Sequence, residues 1–156
     1  MINVQIVSDN KFWNKKFKKS TIFFNKLVKS FPKKYQFIGK KVSLTLLLSN
    51  NQNIKKLNKK FRKKNKPTDI LSFPFEKKID LDKNLYLGDI VISYEFINVP
   101  ILITSLEFKK KLVKTFIHGF LHLLNYDHIK LKDYKKMISE ELKIYKLVYK
   151  KIEQFI

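Results

Sequence analysis

The order of apolar segments predicts an α+β fold: a single mixed β-sheet of about four strands packed with about five helices. Three observations carry that expectation. Strand-like and helix-like patterns follow one another as β-α-β-α-β-β-α-α, with no internal repeat and no linker between them. The length of 156 residues favours one domain, residues 1–156, over two. Apolar residues make up 44% of the chain, enough for a core and too many for a disordered segment.

The elements follow in order. Ile2–Val7 is β-branched with alternation and reads as an opening strand. Lys11–Phe31 carries Trp13, Phe17, Phe24, Val28 and Phe31 as a helical stripe, and predicts one helix. Lys41–Ser49, with Val42, Leu44, Leu46, Leu47 and Leu48, reads as a largely buried strand. Asn50–Arg62 predicts a lysine-rich helix with Ile54, Leu57 and Phe61 on its inner face, closed by Pro67. Phe61 is therefore expected to anchor in the core rather than to stack on a base. Ile70–Phe75 is a second apolar strand, Lys77–Asn84 a polar loop and Asp89–Ser93 a further strand. Asn98–Thr104 stays unassigned, because Pro100 interrupts its β-branched run. Two long helices finish the chain, about Leu106–Leu124 and about Leu131–Phe155. The last would present Tyr134, Ile138, Leu142, Tyr145, Val148, Ile152 and Phe155 on one face.

Composition excludes several classes. The chain has no cysteine, so disulfide scaffolds, Cys-ligated zinc ribbons and thiol nucleophiles are ruled out, and a reducing cytoplasmic home is the default. Met1–Asn10 lacks the pattern of a signal peptide. The longest uncharged apolar run, about Phe96–Leu106, falls well short of the ~20 residues that span a bilayer, so no membrane partner is expected. Thirty-four basic against 13 acidic residues give a net charge of +21, which points to nucleic acid or another anionic surface. The same chain has no alanine, three glycines and one arginine, a skew that an AT-rich coding sequence imposes on any protein. Part of the charge is therefore compositional.

All three histidines, His118, His122 and His128, lie in the stretch HGFLHLLNYDH. His118 and His122 are four apart, which puts them on one helical face with Cβ atoms ~5–6 Å apart. The surrounding helix is apolar over most of its circumference, and its remaining stripe is Lys111, Thr115, His118 and His122. A helix so apolar is buried, so this stripe should face a cleft, where desolvated imidazoles need partners. Asn125 stands where the helix should end and tolerates the left-handed conformation, so a turn there would return His128 to the other two. Three imidazoles with a fourth position open is the catalytic arrangement of zinc, one ion per chain. The spacing H-x3-H-x5-H also matches metzincin peptidases, but Gly119 occupies the position of their general-base Glu. The metal site survives that comparison and the peptidase chemistry does not.

Lys55–Lys66 holds eight basic residues in twelve and no acid. Two readings of its lysines are open, a solvated helix face or an RNA-binding surface using Lys59, Lys63 and Lys66. Arg62 stands apart as the chain's one arginine, since a guanidinium fork suits two phosphate oxygens in a way an ammonium cannot. Thr68 and Asp69 are either a loop bonding its own backbone or the floor of the cleft. Asp89, after Gly88, is either a turn residue or a cleft carboxylate.

Three stretches together resemble the YbeY family of bacterial rRNA-maturation endoribonucleases. They are Leu57-Asn58 to Phe61-Arg62 and on to Thr68-Asp69-Ile70-Leu71-Ser72-Phe73-Pro74; Leu87-Gly88-Asp89-Ile90; and His118-Gly119 with Leu121-His122-Leu123 and Tyr126-Asp127-His128. The resemblance implies a metal-dependent, single-strand-preferring endoribonuclease of 16S rRNA 3′-end maturation and ribosome quality control. Its partners would be the 16S precursor and the small subunit rather than DNA. It implies zinc on His118, His122 and His128, and a functional role for Arg62. Asn125 and Asn65 replace a Gly and an Asp of the family pattern, and Val99-Pro100 falls where the family has a helix. In the expected mechanism Arg62 holds the scissile phosphate. Asp127 is either the general base or a carboxylate orienting a ligand histidine. Two rivals remain: a zinc hydrolase of a non-RNA substrate, and a ribosome-assembly factor with a structural metal.

Overall fold

The computed structural model describes residues 1–80 and 84–155. Four strands, β1 (Ile2–Ser8), β2 (Val42–Ser49), β3 (Ile70–Pro74) and β4 (Leu85–Ser93), form one sheet in the order β1-β2-β4-β3. β1, β2 and β4 run parallel, with Ile2 opposite Val42 and Leu46 opposite Ile90. β3 runs antiparallel on the far edge, with Ile70 opposite Ile92 and Pro74 opposite Gly88. The helices are α1 (Lys11–Lys16), α2 (Ser20–Lys29), α3 (Asn51–Arg62), α4 (Tyr94–Ile97), α5 (Ser105–Leu123) and α6 (Leu131–Val148). Short 3-10 turns add Lys33–Tyr35 and Tyr149–Phe155. Among the described residues no helix is long and apolar enough to cross a membrane. The expected α+β fold with one mixed sheet is what the chain forms.

The alternation of side chains splits the core in two. One sheet face, with Val4, Leu44, Leu46, Ile90 and Ile92, packs on α2, α5 and α6 through Phe24, Phe116, Phe120, Ile144 and their neighbours. The opposite face presents Leu71 and Val91, with Leu47 and Phe73 beside them, to Ile54 and Leu57 of α3. β4 is covered on both faces and is apolar nearly throughout, as a doubly buried strand must be.

Several expectations need correction. Lys11–Phe31 is two helices, not one, because the chain turns at Phe17 (φ −144, ψ 77). The break lets Trp13 donate its indole N–H to Ser49 O (2.7 Å) while Phe23, Phe24 and Leu27 pack on the sheet. α3 ends before Lys63, which takes φ 59, so Pro67 is not its stop. Phe61 is 55% exposed and meets the edge of Phe73, at 5.2 Å between centroids, with Lys60 Nζ over its ring. β4 begins at Leu85 because Gly88 sits within the strand rather than at a turn. Tyr134 and Leu142 are exposed, and the inner face of α6 is Met137, Glu140, Ile144 and Val148. The stretch after Ser93 makes the single turn α4 and then a loop to Thr104. Of the expected loop Lys77–Asn84, residues 81–83 lie outside the described residues.

Candidate active site

Two devices fix the ends of α5. At its start Thr104 Oγ1 accepts the Glu107 N–H (3.2 Å) while Glu107 Oε2 accepts the Thr104 N–H (3.3 Å), a capping box. At its end Asn125 adopts φ 65, and the Tyr126 and Asn125 N–H groups bond Leu121 O and His122 O, each at 3.0 Å. That is a Schellman close. It sends the chain back along the helix and delivers His128 beside His118 and His122. Between those two, Gly119 lets α5 press onto the sheet edge: Ser72 Oγ donates to Gly119 O (3.2 Å). A Cβ at Gly119 would lie 2.5 Å from Ile70 Cδ1, so the sheet already fills the place a peptidase glutamate would need.

The three histidines offer ring nitrogens that all lie within 4.8 Å of one another, and together they could hold a metal ion. Their tautomers follow from their partners. His118 Nδ1 meets Glu141 Oε1 at 2.5 Å, and His122 Nδ1 meets the Tyr126 carbonyl at 3.0 Å. A carboxylate and a carbonyl only accept, so both Nδ1 atoms carry the proton. The two Nε2 atoms then turn lone pairs toward each other at 3.1 Å. Lone pairs this close repel unless a proton or a metal ion binds them. A proton on His122 is disfavoured, because burial, and then the charges of His118 and His128, hold its pKa down at about 4. A metal ion could take that place, held by the three ring nitrogens. The His128 ring lies nearly parallel to that of His118 at 5.6 Å.

Arg62 reaches the same cleft, a space of about 710 Å³ that it lines together with the three histidines. Its Nη2 donates to Ser72 O at 3.1 Å, which pins the guanidinium to the same β3 residue that holds Gly119. Of the lysines singled out in the sequence, Lys66 lines the cleft, whereas Lys59 and Lys63 do not; Lys64, which the sequence reading passed over, does. Asn58, part of the family resemblance but assigned no role there, is buried and donates to Lys66 O (2.8 Å), fixing the loop that carries both lysines. Thr68 and Asp69 line the cleft, with the Asp69 carboxylate taking the Thr68 hydroxyl and the Ile70 N–H. Asp127 lines it too, and its Oδ1 accepts the Ile129 N–H at 2.6 Å, shaping the loop at His128. The carboxylate that meets a ring nitrogen is Glu141, which no spacing in the sequence indicated. Asp89 is neither a turn nor a cleft residue: it stands on β4, paired with Thr45 of β2, and accepts the Tyr86 hydroxyl.

With this geometry in hand, known proteins give a consistent picture. The family model for endoribonuclease YbeY matches residues 6–149. The endoribonuclease YbeY of Pelagibacter ubique is 66% identical over 152 residues, covering 97% of this chain and 99% of that one. That of Ehrlichia canis is 41% identical over 65% of this chain and 64% of its own. The solution structure of a Thermotoga maritima protein matches with a TM-score of 0.56 at 26% identity, over 99% of this chain and 93% of that one. A family match across nearly the whole sequence, joined to a relative of such identity, places this chain in the endoribonuclease YbeY family, as an RNA-cleaving hydrolase.

Proposed function

We propose that residues 1–156 act as one zinc-dependent, single-strand-preferring endoribonuclease domain of the cytoplasm, working in 16S rRNA 3′-end maturation and ribosome quality control. The observation that carries the metal is the pair of facing Nε2 atoms 3.1 Å apart. Two nitrogens each ~2.0–2.1 Å from one tetrahedral zinc are separated by ~3.3–3.4 Å, so the rings stand close to the required spacing. His118, His122 and His128 would hold the ion and leave its fourth position open to the cleft. The chemistry such an ion supplies when bound is acidification of a water toward a pKa of ~7.

The chain's own groups do the rest. Glu141 and the Tyr126 carbonyl keep both Nδ1 atoms protonated, so each Nε2 stays a lone-pair donor. Arg62, anchored by one nitrogen on Ser72 O, has no other hydrogen-bond partner among the described residues, which leaves its remaining N–H groups to bind the scissile phosphate and stabilise the charge that develops on it. Lys64 and Lys66 add sequence-independent attraction for the RNA backbone at the cleft, and Lys59 and Lys63 extend the basic surface beyond it.

The test joins metal analysis of the purified protein to cleavage of a short single-stranded RNA, its duplex, a small ester and a peptide. Stoichiometric zinc and cleavage of the single-stranded RNA alone are expected, with both lost in His118→Ala. Zinc without cleavage of any RNA would refute the reading and favour a ribosome-assembly factor with a structural metal.

A further inference from the structure

α4 is a single turn whose side chains divide in an uneven way. Tyr94 packs against Phe12 (5.7 Å) and Trp13 (5.4 Å), and Ile97 is buried in the core. Glu95 Oε2 accepts the Asn51 N–H at 3.0 Å and the Ser93 hydroxyl at 3.1 Å, tying the turn to the start of α3. Three of its four side chains are thereby committed. The fourth, Phe96, is 38% exposed and lines the cleft with the histidines, Arg62 and Ile129. The cleft's other aromatic residue, Tyr126, is already engaged, with its hydroxyl on the Tyr35 hydroxyl (3.1 Å) and Lys136 Nζ 5.6 Å from its ring centre. Among the described residues no aromatic ring and no cation meets Phe96.

Taking the cleft as the catalytic one, we propose that Phe96 is a stacking platform for an unpaired nucleobase next to the scissile phosphate. The cleft divides by chemistry. Arg62, Lys64 and Lys66 suit phosphate, whereas Phe96, Ile129 and Pro67 give an apolar margin that an anion cannot use. At about 710 Å³ the cleft holds more than a phosphate group. A flat body with apolar faces, joined to a phosphate, is a nucleotide. Every base has a π-face, so the platform accepts RNA without reading its sequence. A base inside a duplex has both faces covered by its neighbours, so only an unstacked nucleotide can use the ring. Phe96 would thus help select single-stranded RNA at the site of cleavage.

The test alters the substrate as well as the protein. In a short single-stranded RNA with one cleaved linkage, each flanking nucleotide is replaced in turn by an abasic one. At one position wild-type kcat/KM should fall ~5–150-fold, the equivalent of the ~1–3 kcal/mol that a base–aromatic stack is worth. Phe96→Ala should lose as much on the intact RNA and be indifferent to the abasic change at that position, while Phe96→Tyr, which keeps a ring, should remain sensitive to it. The abasic series on the wild-type protein needs no variant to fold. The proposal is overturned if no position is sensitive, or if Phe96→Ala responds to the abasic change as fully as wild type. Cleavage that persists in His118→Ala would instead show that the cleft is not catalytic, and would remove both readings together.

Discussion

Replacing Glu141 is expected to loosen the metal without unfolding the site. Its Oε1 lies 2.5 Å from His118 Nδ1, whereas His122 leans on a backbone carbonyl that no side-chain change can remove. The perturbation therefore isolates one ring. A hydrogen bond to a charged group contributes ~1.5–3 kcal/mol. The two side chains keep 34% and 29% of their exposure, so water competes for both. The lower part of that range applies, ~1.5–2 kcal/mol, which is a ~10–30-fold weaker zinc Kd for Glu141→Ala. Glu141→Gln keeps an oxygen to accept the Nδ1 proton but not the charge, so it should lose less. Competition against a chromophoric chelator measures both constants, with circular dichroism as the check on folding. An Ala variant within twofold of wild type would refute the reasoning: Glu141 would then be an ordinary surface partner worth ~0–1 kcal/mol.

Three further outcomes are expected. Arg62→Lys should slow single-turnover cleavage ~100–1000-fold at saturating RNA with little change in RNA affinity, because one oriented donor at a developing charge is lost; Lys59→Ala or Lys63→Ala should only weaken binding slightly, and equal rates for wild type and Arg62→Lys would take Arg62 out of the chemistry. Gly88→Ala should lower Tm by at least ~6–12 °C, because at φ 133 its Cβ would sit 2.1 Å from Phe73 O, a clash of ~3 kcal/mol or more; a smaller fall would mean that β3 does not approach β4 as described. Metal-free protein should lose stability as pH falls from ~6.5 toward about 4, since the unfolded chain takes up a proton on His122 that the folded one refuses. Denaturant titrations across that window check this last outcome, and the difference should vanish in His122→Gln.

The features legible in the sequence are those whose signal is local. His118 and His122 stand one turn apart on the polar stripe of a helix that is otherwise largely buried, and Asn125 at the helix end carries the positive φ that such a residue tolerates. Features missed are those set by a distant partner. Glu140 looks like a surface acid on α6, which shifted the inferred inner face toward Tyr134 and Leu142; Lys34, Tyr35 and Lys143 are what allow it inside. Phe61 belongs to an apolar stripe by spacing, yet α3 turns Ile54 and Asn58 inward and leaves Phe61 at the sheet margin. Gly88 followed by Asp89 reads as a turn, and only the nearness of Phe73 O reveals that the glycine serves strand pairing.

Two consecutive acids on α6 connect this core to the site. Glu141 turns to His118. Glu140 turns inward, where burial pushes its pKa up but hydrogen bonds from Lys34, Tyr35 and Lys143 prevail and hold it at about 2. Tyr35 passes that anchor on, through its hydroxyl, to the hydroxyl of Tyr126, and the carbonyl of Tyr126 receives the Nδ1 proton of His122. Both ring tautomers thus depend on one helix, one directly and one through two tyrosines. In a chain with 13 acids against 34 basic residues, adjacent carboxylates at this place have a physical reason. α6 sets one carboxylate, Glu141, behind a ring of the candidate metal site, and its neighbour Glu140 ties the same helix turn to Lys34 and Tyr35.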